Sequence, residues 1–576
     1  MAFAPSTVLE QRREQMFPQL SPAQVEAAKR FGGTPRYFGP NEIVVHIGDV
    51  AAPAWLVLSG HIEVARKDAY GNREVITLHL PGMMAGELSQ LGRGPSFVEA
   101  VASPDGCTAM PFDGSQLRAL IVGHAEAGEL LMRAFILRRV ALIQANVGTV
   151  IIGKAGSADS MRLQTFLRRN GIPHSVLDPE TDHDAQELVE RLAISAQDMP
   201  IAVCPDGSVL RNPTEKKLAQ CQGLLPDFAT NNEFDIAVVG AGPAGLATAV
   251  YAASEGLSVL VLDSRAFGGQ AGASSRIENY LGFPTGISGM ALAGRAFNQA
   301  QKFGAVMAIP AEVLRLDCGV QCDKMKPMDP AVPLEPPAPR RFRITLDDET
   351  SVRTSAVVIA SGARYRRLGI ENLSDFEGAG VYYWASPIEG KLCANREIIV
   401  VGGGNSAGQA AVFLAGQASH VHILVRGPSL AATMSRYLID RIQALRNVTL
   451  HPYTEVARLN GDRERGLESV LWKNRRTGAE DERPVHHVFL FIGADPNTDW
   501  LRTCPIEMDA NGFVCTGPNV TRPHSRVLMP YETTQHGVFA VGDVRATSVK
   551  RVASAVGEGS VVVSQLHAYL AESRTS

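Results

Sequence analysis

Apolar residues follow two different periods along this chain of 576 residues. Over residues 42–80, apolar and polar side chains alternate in short runs that glycines interrupt, which predicts β-strands joined by turns. Farther on, the apolar runs Ile236–Val239 and Ile398–Val401 each precede an alanine-rich stretch. That order predicts a buried strand followed by a helix, as in parallel α/β sheets. Because single cores seldom exceed about 250–300 residues, we expect several domains, with the β-rich one first.

Residues 1–145 are predicted to form a β-rich barrel that a helical pattern at Glu129–Ile143 closes. The strand-like segments are Glu42–Ile47, Ala54–Leu58, Ile62–Val64 and Val75–Leu80. This part of the chain resembles the cyclic nucleotide-binding domain family. The resemblance rests on the segments Phe38–Ile43, Gly48-Asp49, Val57–Gly60 and Gly86–Leu88.

By that resemblance, Gly86 and Glu87 begin a phosphate-binding cassette, and the Glu87 carboxylate accepts the ribose 2′-hydroxyl of a cyclic nucleotide. The arginine that pairs with the cyclic phosphate in the family is replaced by a small residue or by Ser96, and Arg93 is a nearby substitute. Two interpretations stay open. The barrel either binds a cyclic nucleotide or serves as a dimerisation or scaffold unit that has lost its ligand.

Residues 147–228 are predicted to form a second small unit, in which strands and helices alternate. The predicted elements are Thr149–Ile152, Met161–Asn170, Ser175–Leu177, Asp184–Leu192 and Pro200–Val203. This order resembles the glutaredoxin- and thioredoxin-like folds, and Met199-Pro200 occupies the place of their cis-proline. Ser157 and Ser160 stand where the family has its two redox cysteines, and a hydroxyl cannot exchange disulfides. We therefore predict a redox-inactive α/β thioredoxin-like unit with a docking or spacer role.

The remaining chain is predicted to form two Rossmann-like, three-layer α/β domains, one inserted into the other. The first covers residues 234–379 and 486–572, and the inserted one covers residues 380–485. The proline-rich segment 324–341 interrupts a predicted strand pair, Val313–Leu316 with Phe342–Leu346, and is predicted to be a surface insertion.

Two glycine-rich loops carry the chemistry of these domains. The first contains Gly240, Gly242 and Gly245, and the second contains Gly402 and Gly404. Each loop lies between a strand-like and a helix-like run, which is the context that a dinucleotide-binding loop requires. Glycines let the backbone approach a pyrophosphate, which the N-terminus of the following helix then holds. Two loops predict two dinucleotides, one that receives electrons and one that supplies them.

Several further motifs follow the first loop in a fixed order. Asp263 ends the second predicted strand, where an acidic side chain accepts hydrogen bonds from an adenosine ribose. The other motifs are Gly268–Gln270, Ile277–Asn279, Leu281–Pro284, Ala360–Gly362, Phe491–Asn497 and Val541–Asp543. With them, residues 234–570 resemble the low-molecular-weight thioredoxin reductase family of FAD-dependent pyridine-nucleotide oxidoreductases.

The resemblance implies roles for particular residues. Gln270 and Asn279 would line the isoalloxazine ring, Asp543 would bind the ribityl or pyrophosphate part, and Arg551 and Val552 would lie over the flavin edge. The FAD-binding set that it implies is Gly240, Gly242, Ala244, Gly245, Asp263, Gly269, Gln270, Asn279, Gly362, Gly542, Asp543 and Val552.

The second loop is then predicted to hold NADPH. The strand Val421–Val425 ends in Arg426, and a cation at this point pairs with a 2′-phosphate, whereas an acid would bind the free ribose of NADH. The NADPH-binding set is Gly402, Gly404, Asn405, Ser406, Ala407 and Arg426.

The dithiol of thioredoxin reductases is missing. In that family a CxxC precedes the nicotinamide glycines by roughly fifteen residues. Here those positions hold Trp384 and Pro387, or Ala385 and Ile388, and no CxxC occurs anywhere in the chain. Cys393 lies nine residues before Gly402. It is either a buried packing residue or a catalytic thiolate facing the flavin.

Three functions compete. In the first, electrons pass from NADPH through FAD to an external acceptor, as in ferredoxin–NADP reductases of the thioredoxin-reductase-like type, which also lack the CxxC. In the second, an unusual thiol such as Cys393 reduces a thioredoxin-like protein. In the third, the chain is a non-catalytic flavin and nucleotide sensor. We favour the first, in a homodimer whose domains rotate and whose N-terminal barrel regulates it.

Composition and charge restrict the kinds of partner that the chain is expected to bind. A net charge of −4 gives no basic surface for nucleic acid. The arginines at 133, 138 and 139, and those at 162, 168 and 169, are predicted to lie on solvated helix faces. The eight cysteines show no disulfide-framework spacing, and Cys318 and Cys322 are too isolated to predict a metal site. The first 13 residues lack an apolar signal core, and no uncharged run reaches about 18 residues. We expect a cytoplasmic protein that does not associate with membranes.

Overall fold

The computed structural model describes most of the chain. The described residues are 12–67, 73–86, 90–91, 94–144, 148–154, 156–229, 232–274, 276–318, 342–378, 380–385, 387–462, 466–521 and 527–575. The proline-rich segment 324–341 and the candidate residues Glu87 and Arg93 lie outside these ranges. The strands on either side of that segment pair antiparallel, as predicted.

The N-terminal unit is a barrel of two four-stranded sheets, which confirms the β-rich prediction. One sheet has the order β1-β8-β3-β6 and the other β2-β7-β4-β5. Phe38, Trp55 and Ile62 pack between them. The elements are α1 (Arg13–Met16), α2 (Pro22–Lys29), β1 (Arg36–Phe38), β2 (Ile43–Val45), β3 (Ala54–Ser59), β4 (Ile62–Lys67), β5 (Arg73–His79), β6 (Met84–Ala85), β7 (Glu99–Ala102), β8 (Cys107–Phe112), α3 (Gly114–Gly123) and α4 (Ala125–Gln144).

The second unit has the topology expected of a thioredoxin-like fold. Its sheet has the order β10-β9-β11-β12, in which β10 runs parallel to β9 and the other pairs are antiparallel. The peptide bond between Met199 and Pro200 is cis. The elements are β9 (Thr149–Ile152), α5 (Ala158–Arg169), β10 (His174–Leu177), α6 (His183–Arg191), β11 (Ile201–Val203), β12 (Val209–Arg211) and α7 (Glu215–Cys221).

The barrel and the thioredoxin-like unit share a hydrophobic core. Phe97 and Leu142 of the barrel pack with Ile151, Leu163 and Phe166 of the second unit. Burial of apolar surface across this boundary stabilises their contact, because it removes that surface from water.

A seven-stranded sheet forms the core of the third unit. Its order is β15-β14-β13-β18-β17-β16, and β29 also pairs with β18. Strands β14, β13, β18 and β29 are parallel, and helices α8 and α15 pack together on one face. The elements are β13 (Glu233–Val239), α8 (Pro243–Ser254), β14 (Val259–Leu262), α9 (Gly269–Gly272), α10 (Gly289–Lys302), β15 (Val306–Ala308), β16 (Val313–Asp317), β17 (Phe342–Leu346), β18 (Ser351–Ile359) and, after the inserted unit, β29 (Val538–Ala540) and α15 (Val552–Thr575).

The inserted unit has a parallel five-stranded sheet, β20-β27-β21-β22-β23, and an antiparallel sheet, β24-β25-β26. Strand β27 pairs with β21, so the inserted sheet continues past the boundary predicted at residue 485. Strands β19 and β28 pair where the chain passes between the units. The elements are β19 (Ala363–Tyr365), α11 (Leu373–Phe376), β20 (Val381–Tyr382), α12 (Pro387–Leu392), β21 (Glu397–Val401), α13 (Asn405–Ala415), β22 (His420–Val425), α14 (Arg436–Ala444), β23 (Val448–Pro452), β24 (Thr454–Asp462), β25 (Gly466–Asn474), β26 (Glu480–Arg483), β27 (Val488–Leu490) and β28 (Ala494–Pro496).

The structure contains two disulfides, although the spacing of the cysteines indicates no disulfide framework. Cys204 is bonded to Cys221 within the thioredoxin-like unit, and Cys318 is bonded to Cys504 within the third unit. Their sequence separations are 17 and 186 residues, and each pair brings its Cα atoms to about 6 Å. Spacing along the chain did not predict them, because the pairs form across strands and loops that only the tertiary fold brings together.

The prediction of solvated arginine faces was wrong for three residues. Arg138 is only 7% exposed, and its guanidinium donates to the backbone carbonyls of Met16, Met84 and Gly86. Arg168 and Arg169 are partly buried against the third and inserted units. Helical spacing could not predict this, since the covering surfaces come from distant parts of the chain. Of the described helices, none combines the length and apolar character needed to span a membrane.

Candidate functional site

The first glycine loop joins β13 to α8 and is shaped by close backbone contacts. Gly240 has φ of +113°, and a Cβ there would collide with the carbonyl oxygen of Ala360. A Cβ on Gly245 would collide with the carbonyl oxygen of Gly240. Gly242 is the N-cap of α8, and no side chain caps the helix. The first-turn N–H groups of α8 are therefore available to an anion.

Asp263 and Gly269 lie beside this loop. The Asp263 carboxylate accepts hydrogen bonds from the backbone N–H groups of Ala241, Arg265 and Ala266. It therefore fixes the loop and the end of β14 together. Gly269 has φ of +53°, and a Cβ there would lie 3.1 Å from the Gly242 Cα. This close approach and the positive φ require glycine at position 269, whereas a Cβ on Gly242 would come no closer than 4.0 Å to it.

The part of the third unit that follows the inserted unit also contacts the first glycine loop. Gly542 has φ of +75°, and a Cβ there would lie 2.8 Å from the Ala244 Cβ. Asp543 follows it, and burial raises the pKa of its carboxyl. The structure thus brings Gly240, Gly242, Ala244, Gly245, Asp263, Gly269, Gly542 and Asp543 to one edge of the sheet.

Sequence reasoning missed a buried ion pair behind Asp543. Glu558 of α15 accepts the Gly542 N–H at 2.6 Å and pairs with Arg545 at 2.6 Å. Glu558 is 8% exposed. The pair fixes the conformation of the Gly542–Asp543 turn. Its signal in the sequence was weak, since an acid inside a helix usually faces solvent.

The remaining candidates for binding the flavin are Gln270, Gly362, Asn279 and Val552. The Gln270 amide donates to the carbonyl of Ala363, next to Gly362, so these two candidates adjoin. Val552 begins α15 and is half-buried, while Asn279 is exposed. For Asn279 the described contacts show no partner that assigns a role.

The donor set fits FAD. Uncapped helix N–H groups and four glycines in close backbone contact suit a pyrophosphate, and Asp263 lies where a ribose is bound. When bound, FAD would be held by this loop, by Asp263 and by the Gly542–Asp543 turn.

The second loop repeats the arrangement between β21 and α13. Gly402 has φ of +135°, and a Cβ there would collide with the carbonyl oxygen of Phe491. Gly404 is the uncapped N-cap of α13, and Ser406 and Ala407 lie in the first turn. The Asn405 side chain accepts the Ser435 N–H at 2.7 Å, and the Thr433 hydroxyl donates to Gly403 at 2.7 Å. The segment after β22 therefore packs over the loop, and Arg426 at the end of β22 is exposed.

One ion pair joins the two Rossmann-like units beside the flavin motifs. Arg441 of α14 donates to both carboxylate oxygens of Glu278, at 2.8 and 2.7 Å. Glu278 immediately precedes Asn279. Both contacts are made by Nη1 of Arg441, so the pair links the two units through one guanidinium nitrogen.

The structure shows which side chains occupy the positions of the missing dithiol. Trp384 donates its indole N–H to Glu389 at 3.0 Å, and Glu389 is 2% exposed. Ala385 is buried in the core of the inserted unit. Cys393 is completely buried in the same core, and burial together with the Glu389 carboxylate raises the pKa of its thiol to about 12. A thiol with such a pKa is protonated at neutral pH, which favours the interpretation of Cys393 as a packing residue.

The two serines that stand in place of the redox cysteines lie at the start of α5. Ser157 caps α5, and its hydroxyl donates to that of Ser160 at 2.9 Å. A Cβ on Gly153 would lie within 2.7 Å of both Ser160 and cis-Pro200. The serine pair and the proline therefore form one cluster, and it contains no thiol.

The barrel encloses an apolar cavity that Gly86 and Ser96 line. The Ser96 hydroxyl donates to the Val98 carbonyl at 2.8 Å. His79 and Trp55 also line the cavity, and their ring nitrogens are buried without hydrogen-bond partners in the described part of the chain. Burial and the Arg138 charge hold the pKa of His79 well below its usual range, so the imidazole is neutral.

Comparison with known proteins agrees with this geometry. The pyridine nucleotide-disulphide oxidoreductase family matches residues 234–559, and the cyclic nucleotide-binding domain matches residues 35–124. A thioredoxin reductase of Treponema pallidum is 31% identical over 338 residues, which are 59% of this chain and 97% of the relative. The crystal structure of Lactococcus lactis thioredoxin reductase (FR conformation) is 26% identical, covers 59% of this chain and 99% of its own, and superposes with a TM-score of 0.50.

An NADH dehydrogenase of Ferdinandcohnia aciditolerans is 28% identical over 413 residues, 70% of this chain and 70% of the relative. Residues 234–576 make up only about 60% of the chain, so this similarity extends into the residues before 234. The chain belongs to the pyridine nucleotide-disulphide oxidoreductase family, as an FAD-dependent oxidoreductase of thioredoxin reductase-like build that uses NAD(P)H and carries an N-terminal cyclic nucleotide-binding domain.

Proposed function

We propose that this protein passes electrons from NADPH through FAD to an external acceptor, without a dithiol of its own. When bound, FAD supplies the two-electron chemistry that links the nicotinamide to a later acceptor. The chain's residues hold the two dinucleotides and orient them. The observation that carries the proposal is the place of the missing CxxC, where the side chains are an indole that bonds to Glu389 and a buried alanine.

The cysteines that the structure describes support the same proposal. Cys393 has a protonated, buried thiol. Cys204, Cys318 and Cys504 are each no more than 7% exposed, and they are already paired in disulfides. Burial hinders attack by an incoming thiolate on the Cys318–Cys504 disulfide and on the Cys204 sulfur, whereas Cys221, the partner of Cys204, is partly buried.

Replacing Cys393 by serine tests the thiol alternative. We expect turnover with a quinone or ferredoxin acceptor to stay within about twofold of the wild type, because a buried packing residue affects stability more than electron transfer. Cys515→Ser is the matched control, since Cys515 is also buried and unpaired. A loss of more than about tenfold, restricted to Cys393→Ser and to a thioredoxin acceptor, would establish the thiol relay instead.

Rapid bleaching of the flavin by NADPH distinguishes the enzyme from the sensor. Stopped-flow absorbance of the full chain is expected to show reduction of bound FAD on mixing. A flavin that stays oxidised would leave only the sensor.

We propose NADPH as the donor because Arg426, which directly follows β22, has an exposed side chain. Arg426→Ala is expected to raise the KM for NADPH about tenfold to a hundredfold, since one charge-assisted bond to a 2′-phosphate is lost. The KM for NADH should not change. Arg436→Ala is the control, because Arg436 lies nearby and pairs with Asp440 on the surface. Equal loss with both nucleotides would contradict the role given to Arg426.

For the barrel we propose regulation by a ligand in its cavity, with a cyclic nucleotide as the first candidate. Gly86 and Ser96 line the cavity, and the buried ring nitrogens of Trp55 and His79 in it have no hydrogen-bond partner among the described residues. Calorimetry with cAMP and cGMP decides between this and a scaffold role. We also propose a homodimer, which sedimentation of the full chain tests.

A further inference from the structure

The C-terminal end of helix α5 connects the thioredoxin-like unit to the flavin motifs. Arg169 donates from Nη2 to the carbonyl oxygen of Gly269 at 3.2 Å. The next residue, Asn170, donates to the carbonyl oxygen of Arg265 at 3.1 Å. Both acceptors belong to the segment that follows Asp263. This segment is therefore held from outside its own domain.

The groups near the Arg169 side chain include parts of the FAD site, together with Glu215 of α7. Asp263 and Tyr365 are the groups whose charges most favour its protonated form. Tyr365 in turn interacts with Asp543. Gly269, whose carbonyl Arg169 contacts, packs on Gly242 at the N-terminus of α8. Arg169 thus lies beside Asp263 and beside the Gly269 turn that packs on the first glycine loop.

The hydrogen bonds of Arg169 are incomplete. Its Nε is buried, and among the described residues it has no hydrogen-bond partner. Burial lowers the pKa of the guanidinium, whereas the neighbouring acids raise it. A buried guanidinium N–H without an acceptor is unfavourable, because its desolvation is not compensated.

At the N-terminus of α8, the first-turn N–H groups have no capping side chain that accepts their hydrogen bonds. Several other helices have one, as Asp113 does for α3 and Ser288 for α10. The N-terminus of α8 and the Arg169 guanidinium therefore both adjoin Gly269. The pyrophosphate of a dinucleotide supplies acceptor oxygens for both.

We propose that Arg169 of the thioredoxin-like unit binds the adenosine diphosphate half of FAD, so that this unit completes the flavin site of the neighbouring domain. Docking of the unit and binding of FAD then stabilise each other, because each supplies contacts to the other. This gives the thioredoxin-like unit, which has no redox cysteines, a role in holding the cofactor. It also places the unit, which shares its core with the barrel, in direct contact with the flavin site.

The test measures FAD affinity in the full chain rather than turnover. Apoprotein of Arg169→Met is titrated with FAD while flavin fluorescence is recorded, and ADP is used as a competitor. We expect the Kd for FAD to rise about tenfold to a hundredfold, and the competition by ADP to weaken in parallel, because one charge-assisted contact is lost. Arg169→Lys, which keeps the charge without the planar fork, should recover part of the affinity.

Arg162→Met is the matched control. Arg162 lies two turns earlier on α5, where it bonds to Asp159 and to the Pro213 carbonyl. Its replacement should leave the Kd unchanged. An unchanged Kd in Arg169→Met, with only a lower melting temperature of the apoprotein, would reduce Arg169 to a docking residue and overturn the proposal. Tighter FAD binding in that variant would overturn it too, since Arg169 would then be occupying the cofactor's place. If Arg169→Met does not fold, the comparison of Arg169→Lys with Arg162→Met decides by the same criteria.

Discussion

Replacing Gly242 by valine is expected to give a folded protein that contains no flavin. Gly242 has an ordinary negative φ, and a Cβ built there comes no closer than 4.0 Å to any protein atom outside its neighbours. The protein can therefore accept the side chain, whereas a pyrophosphate on the α8 N–H groups cannot. If two charge-assisted hydrogen bonds from the α8 N–H groups to the pyrophosphate are lost, FAD binding should weaken by at least about a hundredfold.

The measurement is the ratio of flavin to protein after purification, with circular dichroism to confirm folding. Gly369→Val is the matched control, because Gly369 is exposed and a Cβ there contacts nothing within 4 Å. A Gly242→Val protein that retains full flavin would show that the loop does not hold FAD. The first glycine, Gly240, is a poorer choice, since its positive φ and its contact with Ala360 would strain the fold itself.

The second large effect is expected from Gly404→Val. Gly404 is the counterpart of Gly242 in the inserted unit, and a Cβ there meets no atom within 4 Å. We expect this variant to keep its full flavin content and to fold normally. Reduction of the flavin by NADPH should fall by about a hundredfold or more, because the nicotinamide dinucleotide loses its pyrophosphate contacts.

Anaerobic stopped-flow absorbance measures that loss, and dithionite serves as the control reductant. Dithionite should bleach the variant as fast as the wild type. Together the two glycine variants separate the cofactors, since one loses the flavin and the other only its reduction by NADPH. Flavin loss in Gly404→Val, with Gly242→Val unaffected, would reverse the assignment of the loops.

The sequence predicted the parts of the site that local chemistry determines. Glycines with positive φ, such as Gly240 and Gly402, are required by the turn itself, and their spacing from Asp263 and Arg426 follows from the βαβ unit. The replacement of the redox cysteines by Ser157 and Ser160 was also readable, because a short motif and a cis-proline fix the alignment.

What the sequence did not predict depends on contacts between distant segments. Arg169 and Gly269 are 100 residues apart, and Arg441 and Glu278 are 163 residues apart. The disulfide between Cys318 and Cys504 has the same character. A helical arginine at the C-terminal end of α5 is favoured by the helix dipole alone, so its pattern predicted a solvated position. Only the packing of one unit on another shows that the position is partly buried.

The thiol chemistry is where this chain departs most from the relatives it resembles. Its build is that of a thioredoxin reductase, but the stretch before the second glycine loop holds Trp384, Ala385 and a buried Cys393. In the proposed function, the flavin is the single two-electron store, and the disulfides Cys204–Cys221 and Cys318–Cys504 take no part in turnover.

Counting electrons tests this account most directly. The full chain with bound FAD is titrated anaerobically with NADPH while flavin absorbance is followed, and free thiols are assayed in denaturant at the end point. The account predicts that one equivalent of NADPH per FAD completes the bleaching and that no new thiols appear. Consumption of two or more equivalents, with a matching gain of thiols, would contradict it and establish a dithiol relay.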